Sequence, residues 1–289
     1  MRKPFLDALA EEILLADGAM GTEIYSQGLA AYRCPWELNL SAPEQIRAIH
    51  QAYLAAGAKL IETNTFGANS ISLSRHGLEK KMREINLRGA EIAHAASRGK
   101  AYAAGSVGPV GRKIASNSER YAVFFSQIEA LRDGGVGLII LETFSDLEEA
   151  EIACRAAREA ARLPLVLQFS FHAMDSGAGP TPEKASKAAE NWGVDVVGSN
   201  CNSGPEETLQ CIKRMAGITS LKLSAMPSAG LPKVVEGRTC YPVSPGSMAE
   251  FARSLVQAGV SLIDGCCGTT PTMIAEMNQA LKPFNPSTL

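Results

Sequence analysis

The sequence predicts a single (β/α)8 barrel, on the basis of two patterns. Short apolar runs recur along the 289 residues, each followed by a glycine-rich or polar turn and then an amphipathic stretch, as in repeated βα units. Polar residues follow nearly every run, where barrel enzymes build their sites, whereas a doubly wound open sheet would gather them at one switch point. We therefore expect one barrel domain over residues 1–289, with a tail from about residue 283.

Eight runs have the length and composition of buried strands. They are Ile13–Ala16, Lys59–Thr63, Ala101–Ala104, Gly137–Leu141, Leu165–Ser170, Asp195–Ser199, Ser220–Ala225 and Ser261–Ile263. The polar residues at their ends are Asp17, Asn64, Ser106, Glu142, His172, Asn200 and Cys266. In a closed barrel these side chains would share one mouth.

Helix boundaries between the strands are marked by capping residues. Ser41–Glu44 and Ser145–Glu148 have the spacing of capping boxes, and Thr181-Pro182 and Thr270-Pro271 place proline at the first helical position. Helix ends are predicted at glycines, which accept a left-handed backbone. These ends are Ala56-Gly57, Gly134-Gly135 and Ala258-Gly259.

Composition narrows the class of function. Lysine plus arginine total 28 against 30 aspartates plus glutamates, so no global field favours nucleic acid or a membrane surface. Acidic residues at Asp7, Glu11 and Glu12 interrupt the place of a signal-peptide core, and no apolar run approaches bilayer length. We expect a cytoplasmic protein, in which cysteines serve metal binding or catalysis rather than disulfides. The oligomeric state is not predicted.

Three cysteines are predicted to form a metal site. Cys201 follows the sixth strand, and Cys266 and Cys267 follow the eighth, between Gly265 and Gly268. Alternate strands of a barrel contribute to the same layer, and the two glycines give the backbone freedom to turn adjacent side chains toward one ion. Thiolates favour zinc over calcium or magnesium, with iron and copper as alternatives, and three ligands are the catalytic number.

The remaining cysteines have a simpler interpretation. An isolated cysteine is usually core packing, which is what we predict for Cys154 and Cys211 in predicted helices. Cys34 and Cys240 fall in predicted loops and are expected to be uninvolved. A disulfide between the two adjacent cysteines would leave the third unexplained, and it is disfavoured in a reducing compartment.

A zinc ion on three thiolates is electron-rich and suits the activation of another thiol. We expect that thiol to attack an electrophilic carbon as a thiolate. Glu142 could bind an ammonium group, and the Asp17-Gly18-Ala19 turn could offer N–H groups to a carboxylate. The alternatives are that Asp17 only caps its turn and that Glu142 pairs with a basic core residue. Asn64, Ser106 and Asn200 are further candidates for the substrate site. The alternative is that these residues, like Asn69, only form turns, in which asparagine and serine are common. His172 is predicted to be a rim or packing residue.

Six motifs, in order along nearly the whole chain, resemble the zinc-dependent homocysteine S-methyltransferases, and most closely the homocysteine-binding module of cobalamin-dependent methionine synthases. The motifs are Asp17-Gly-Ala-Met-Gly-Thr22, Glu62-Thr-Asn-Thr-Phe-Gly67, Gly105-Ser-Val-Gly-Pro109, Leu141-Glu-Thr143, Gly198-Ser-Asn-Cys201 and Gly265-Cys-Cys-Gly-Thr269. The resemblance implies a barrel, zinc on the three cysteines, homocysteine as acceptor and methionine as product. It also implies that Glu142 and the Asp17-Gly18 turn hold the amino-acid end.

The chain departs from the methionine synthase pattern in two ways. Pro227-Ser228-Ala229-Gly230 stands where those enzymes have Pro-Asn-Ala-Gly, so the resting zinc ligand supplied by that asparagine is in doubt. The sequence given also ends soon after the eighth helix and contains no folate-binding or cobalamin-binding module, and a domain excised from a larger protein stays an alternative. We expect an external methyl donor: a small molecule of the S-methylmethionine type, or a methylcorrinoid or folate-charged partner protein.

Different functions stay open from the residues alone. The zinc site could serve a methyltransferase for a different small thiol, or a non-enzymatic zinc or thiol sensor. A barrel lyase or isomerase that grips phosphate with the glycine-rich turn after the eighth strand is a further alternative, but it leaves the cysteines unused.

Overall fold

Eight parallel strands form the central sheet of the protein, in a computed structural model that describes residues 2–29, 34–111, 116–171, 179–235 and 238–285. The strands are β1 (Leu14–Leu15), β2 (Leu60–Glu62), β3 (Tyr102–Val107), β4 (Leu138–Phe144), β5 (Leu165–Phe169), β6 (Val196–Asn200), β7 (Lys222–Met226) and β10 (Val260–Ile263). All eight predicted strands are confirmed, with ends shifted by a few residues.

The sheet is a nearly closed barrel. Its order is β1-β10-β7-β6-β5-β4-β3-β2, with every neighbouring pair parallel. The two ends of that order, β1 and β2, are joined by a backbone hydrogen bond from Lys59 N to Leu15 O of 2.7 Å. The predicted (β/α)8 barrel is thus confirmed.

Helices surround the strands. They are α1 (Phe5–Glu11), α2 (Met20–Ser26), α3 (Leu38–Ser41), α4 (Pro43–Ala56), α5 (Ser70–Ser74), α6 (Met82–Ser97), α7 (Asn117–Asp133), α8 (Leu147–Ala160), α9 (Pro182–Asn191), α10 (Pro205–Ala216), α11 (Pro245–Gln257) and α12 (Pro271–Leu281). Within the described residues, none of them has both the length and the apolar character needed to cross a bilayer.

The inside of the barrel changes from apolar to polar along the strands. Near the strands' N-terminal end, Phe5 and Leu9 of α1 pack with inward side chains such as Leu14, Leu60 and Leu138. Two or four residues further along, the inward positions of several strands are polar, and they lie on the same face because side chains alternate between the two faces of a strand. These polar positions are Glu62, Ser106, Glu142, Gln168, Ser224 and Asp264. We call this set, together with Asp17, the polar layer.

The observed helix caps confirm only some of the helix starts that were predicted from capping residues. Thr181 and Thr270 accept hydrogen bonds from the third residue of their helices, as predicted. Asp146, rather than Ser145, caps α8. The prediction at Ser41 is wrong: that residue ends α3, and its hydroxyl donates to the Glu37 side chain at 2.8 Å. A side chain already bonded to the preceding turn is not available as a cap.

Neither α1 nor a surface hairpin was predicted. The hairpin consists of β8 (Lys233–Val235) and β9 (Arg238–Cys240), which pair antiparallel between β7 and α11. Val234 on the hairpin and Leu231 just before it are exposed. Its strands are too short to show the alternation by which a longer strand is recognised.

The predicted tail is held in part by the barrel. Residues Lys282–Phe284 form a 3-10 turn after α12. Asn285 then accepts a hydrogen bond from Ile13 N at 2.8 Å and donates one to Ile13 O at 2.7 Å. The last described residue of the chain is therefore tied to the start of β1.

His50 on α4 makes the stability of the fold sensitive to acid. The side chain is fully buried, and neither ring nitrogen has a hydrogen-bond partner in the described ranges of the chain. Burial lowers the pKa of His50 to about 4 from its usual 6.5. The imidazole of His50 binds a proton more tightly in the unfolded chain than in the folded protein. The contribution of neutral His50 to the free energy of unfolding is therefore complete above pH 6.5 and is lost as the pH falls through 4. This loss is at most roughly 3 kcal/mol.

We expect His50→Leu to remove this part of the acid sensitivity. Urea unfolding measured between pH 4 and pH 7.5 should show a flatter dependence of the free energy of unfolding in the variant. Substitution of the exposed His76 by glutamine is the matched control and should leave the dependence unchanged. If the free energy of unfolding of His50→Leu fell with pH as steeply as that of the wild type, groups other than His50 would cause the acid sensitivity.

Candidate metal centre and carboxylate site

Three thiols converge at the C-terminal mouth of the barrel. Cys201 follows β6, and Cys266 and Cys267 follow β10; both strands pair with β7. The Cys267 sulfur lies 3.9 Å from that of Cys201 and 4.0 Å from that of Cys266. All three sulfurs lie within 4.8 Å of one another. The structure thus brings together the three cysteines that were predicted to bind a metal.

The backbone around the thiols has unusual conformations that aim the side chains. Cys201 adopts a left-handed conformation with φ of 51°, which is uncommon for a residue other than glycine. Its N–H donates to Met226 O at 3.1 Å, which fixes the turn. Gly268 also has a positive φ, of 82°. Gly265 has a different role from the one predicted, because a Cβ there would lie 2.2 Å from the Thr269 side chain.

The thiol spacing fits a tetrahedral soft metal. Zinc–sulfur bonds of about 2.3 Å place the sulfurs of a tetrahedral site about 3.8 Å apart, close to the two distances above. Hydrogen bonding to the thiols of Cys201 and Cys267, together with burial, holds the pKa of Cys266 well above its usual range. Three adjacent thiolates require a cation to offset their repulsion, and the donor set therefore suits zinc.

Four carboxyl groups in or just after different strands interact with one another, and one of them, Glu142, also interacts electrostatically with Cys267. Asp17 accepts a hydrogen bond from Glu62 N at 3.1 Å, Ser106 Oγ donates to Glu142 at 2.5 Å, and Gln168 Nε2 lies 3.3 Å from Asp264 Oδ2. Asp17, Glu142 and Asp264 are buried. Burial raises the pKa of all four carboxyls, and that of Asp264 to about 8. Such a group of acids attracts a cation or retains protons.

The predicted substrate residues fall into two groups. Asp17, Ser106 and Glu142 belong to the polar layer. Asn64 and Asn200 are instead bonded to neighbouring backbone: Asn64 Nδ2 donates to Pro35 O at 2.8 Å, and Asn200 Oδ1 accepts from Thr143 N, near the end of β4, at 2.8 Å. These two residues support the shape of the mouth.

The turn after β1 is tightly packed. A Cβ on Gly18 would lie 2.8 Å from Thr269 O, and Ala19 N already donates to that same oxygen at 3.0 Å. The binding of a carboxylate by this turn stays a prediction. Asn69 caps α5 through Ser72 N, and His172 lies outside the described residues.

Sequence reasoning did not select three residues of the site, which are Glu62, Asp264 and Tyr241. Glu62 and Asp264 are acidic residues inside or beside recognised motifs, and that context was the available signal. Ser228, which the departure from the Pro-Asn-Ala-Gly pattern had already singled out, is a neighbour of the Cys201 thiol, and its hydroxyl acts to lower the pKa of that thiol. Tyr241 packs on Gly268, where an added Cβ would lie 2.2 Å from the ring. Nothing in the residues around Tyr241 indicates this contact in advance.

Comparison with known proteins identifies the family of the chain. A family model described as homocysteine S-methyltransferase matches residues 14–281. The chain is 32% identical over 307 residues to a methionine synthase of Mycobacterium leprae and 31% identical over 299 residues to one of Mycobacterium tuberculosis. It covers 26% and 25% of those proteins, respectively, while 98% and 96% of the chain is matched.

The fold matches a solved structure of similar length. The metallated form of the homocysteine methyltransferase MmuM from Escherichia coli superposes with a TM-score of 0.82 and 26% identity. The match covers 96% of this chain and 99% of that protein. The chain belongs to the homocysteine S-methyltransferase family.

Proposed function

We propose that the protein transfers a methyl group from an external donor to the thiol of homocysteine, giving methionine, with zinc held by Cys201, Cys266 and Cys267. The observation that carries this proposal is the convergence of three thiols, at tetrahedral spacing, in a chain of this family. Three protein ligands leave one position for a substrate atom.

The three cysteines prepare the sulfur nucleophile. Zinc, when bound, supplies the positive charge that stabilises a substrate thiolate at neutral pH. The left-handed turn at Cys201 and the turn at Gly268 fix the sulfurs before substrate arrives. The chain thereby reduces the entropy cost of placing the nucleophile against the methyl carbon. The methyl–donor bond breaks as the new carbon–sulfur bond forms.

The polar layer would hold the amino-acid end of the substrate. Glu142, oriented by Ser106, and Asp17, oriented by Glu62 N, present carboxyl oxygens to an ammonium group. Asn200 fixes Thr143, whose φ is 66°, directly after Glu142. Asn64 fixes the loop after β2, and Gly18 and Ala19 form the opposite wall against Thr269.

The proposal is tested by methionine formation from homocysteine with two donors offered separately, S-methylmethionine and methylcobalamin. We expect product with at least one donor, loss of activity after zinc is removed, and recovery when zinc is restored. Binding of homocysteine without product from either donor would favour a non-enzymatic thiol-binding module. Activity on another small thiol in preference to homocysteine would favour the alternative acceptor.

A further inference from the structure

Two buried oxygen atoms in the polar layer have no partner among the described residues. Within those parts of the chain, Asp264 Oδ1 and Gln168 Oε1 make no hydrogen bond, although their residues are only 1% and 0% exposed. Both side chains are anchored on one side only, because Gln168 Nε2 lies 3.3 Å from Asp264 Oδ2 and 3.2 Å from Ser224 Oγ. Buried polar atoms normally have partners, and an unpartnered charged oxygen is costly.

The surroundings of these oxygens are negative. Asp264 interacts electrostatically with Asp17, Glu62 and Glu142. Among the described residues, no ion pair includes any of these four carboxyls. The chain therefore places four acids together without a described basic side chain to balance them.

The arrangement favours a singly charged ligand over a second divalent metal. In the described part of the chain, the three cysteines are the only group of ligand atoms close enough to hold a metal ion as a set. The Asp264 carboxyl and the Gln168 amide each supply one oxygen acceptor, and Ser224 Oγ adds a third oxygen nearby. Gly198 lies between Gln168 and Ser224 in register and adds no side chain.

We propose that Asp264 and Gln168 form a binding site for a small monovalent cation within the polar layer, below the thiols. The ligand chemistry is an ammonium group or an alkali ion that binds the free oxygens of both side chains. Two sources fit this chemistry: a free cation, or the amino group of the substrate. The second source rests on the proposed function, whereas the first does not.

The free-cation source is tested with wild-type protein, Asp264→Asn and Asp7→Asn, in the absence of amino acid. Asp7 is an exposed acid and provides the matched control. Thermal unfolding is compared in sodium, potassium, ammonium and choline chloride at equal ionic strength. Binding of a free cation should raise the midpoint by roughly 3 °C over choline in wild type and in Asp7→Asn, and the rise should be absent in Asp264→Asn.

The substrate source is tested by calorimetric binding of homocysteine and of 4-mercaptobutanoate, which lacks the amino group, to the zinc-loaded proteins. Asp264→Asn should weaken homocysteine binding by roughly 10-fold to 100-fold and leave 4-mercaptobutanoate binding unchanged. A structural role for Asp264 would change both affinities together. If Asp264→Asn does not fold, Asp264→Ser takes its place in both measurements.

A response in either measurement that depends on Asp264 supports the site and identifies its source. Identical behaviour of wild type and the Asp264 variant in both measurements would overturn the proposal. If wild type binds no homocysteine at all, the proposed function fails, and the salt measurement alone decides whether the cation site exists.

Discussion

Cys267→Ser is expected to abolish zinc retention and methyl transfer while leaving the barrel folded. The substitution removes one of three soft ligands, and an alcohol is a poor substitute for a thiolate. Changes to groups that merely support a metal ligand cost about 10-fold to 100-fold in metal affinity or activity, so the loss of a ligand should exceed this range. The variant's zinc content, methionine formation and unfolding midpoint are the quantities to measure.

The fold should survive because the thiols lie at the mouth, away from the apolar end of the barrel that α1 closes. Cys201→Ala and Cys266→Ala should behave in the same way. Cys240→Ser is the matched control, since that thiol is exposed on the hairpin and outside the cluster. Collapse of the fold in all three ligand variants would indicate a structural metal, and full zinc retention in Cys267→Ser would disprove the ligand set.

Glu142→Gln should weaken the binding of homocysteine by roughly 10-fold to 100-fold while zinc stays bound, because a hydrogen bond between two charged groups becomes one between a charged and a neutral group. Calorimetric titration of zinc-loaded protein measures this change. The near-equal size of the two side chains limits any effect on packing. Glu129→Gln, which alters an exposed helix position, is the control.

The effect of Glu142→Gln on affinity should also depend on whether the ligand carries an amino group. A thiol without an amino group, such as 4-mercaptobutanoate, should bind wild type and Glu142→Gln equally well. Unchanged affinity for homocysteine would remove Glu142 from the amino-acid site. Loss of zinc from this variant would show that Glu142 acts on the metal centre instead.

The barrel was predictable because each of its strands is a short buried run followed by a polar turn, and this pattern depends only on local sequence. The cap at Ser41 failed for a reason that is not local to the motif: Glu37 in the preceding turn binds the same hydroxyl. Capping rules describe one helix end at a time, whereas a short helix just before it changes which groups are free.

The site was predictable where its residue types are rare. Two adjacent cysteines at a strand end are seldom a product of core packing, because neighbours on a strand point to opposite faces, so the convergence of the three thiols was predictable from sequence. Asp264 was missed although it lies two residues before Cys266, because an aspartate at a strand end is also a common turn residue. Its unpartnered oxygen is a three-dimensional property that depends on Gln168 from another strand.

Helix α1 packs at the end of the barrel opposite the thiols, so it contributes to stability at a distance from the chemistry. Phe5 contacts Tyr102 edge to face, with ring centroids 5.6 Å apart, at the end opposite the thiols. We call α1, with the side chains of Phe5 and Leu9, the plug. Substitutions around the plug can change the free energy of unfolding without altering the position of a sulfur or a carboxyl at the mouth. The plug is therefore the place to engineer a more heat-resistant form of the protein without the trade-off against activity that accompanies changes near a reacting centre.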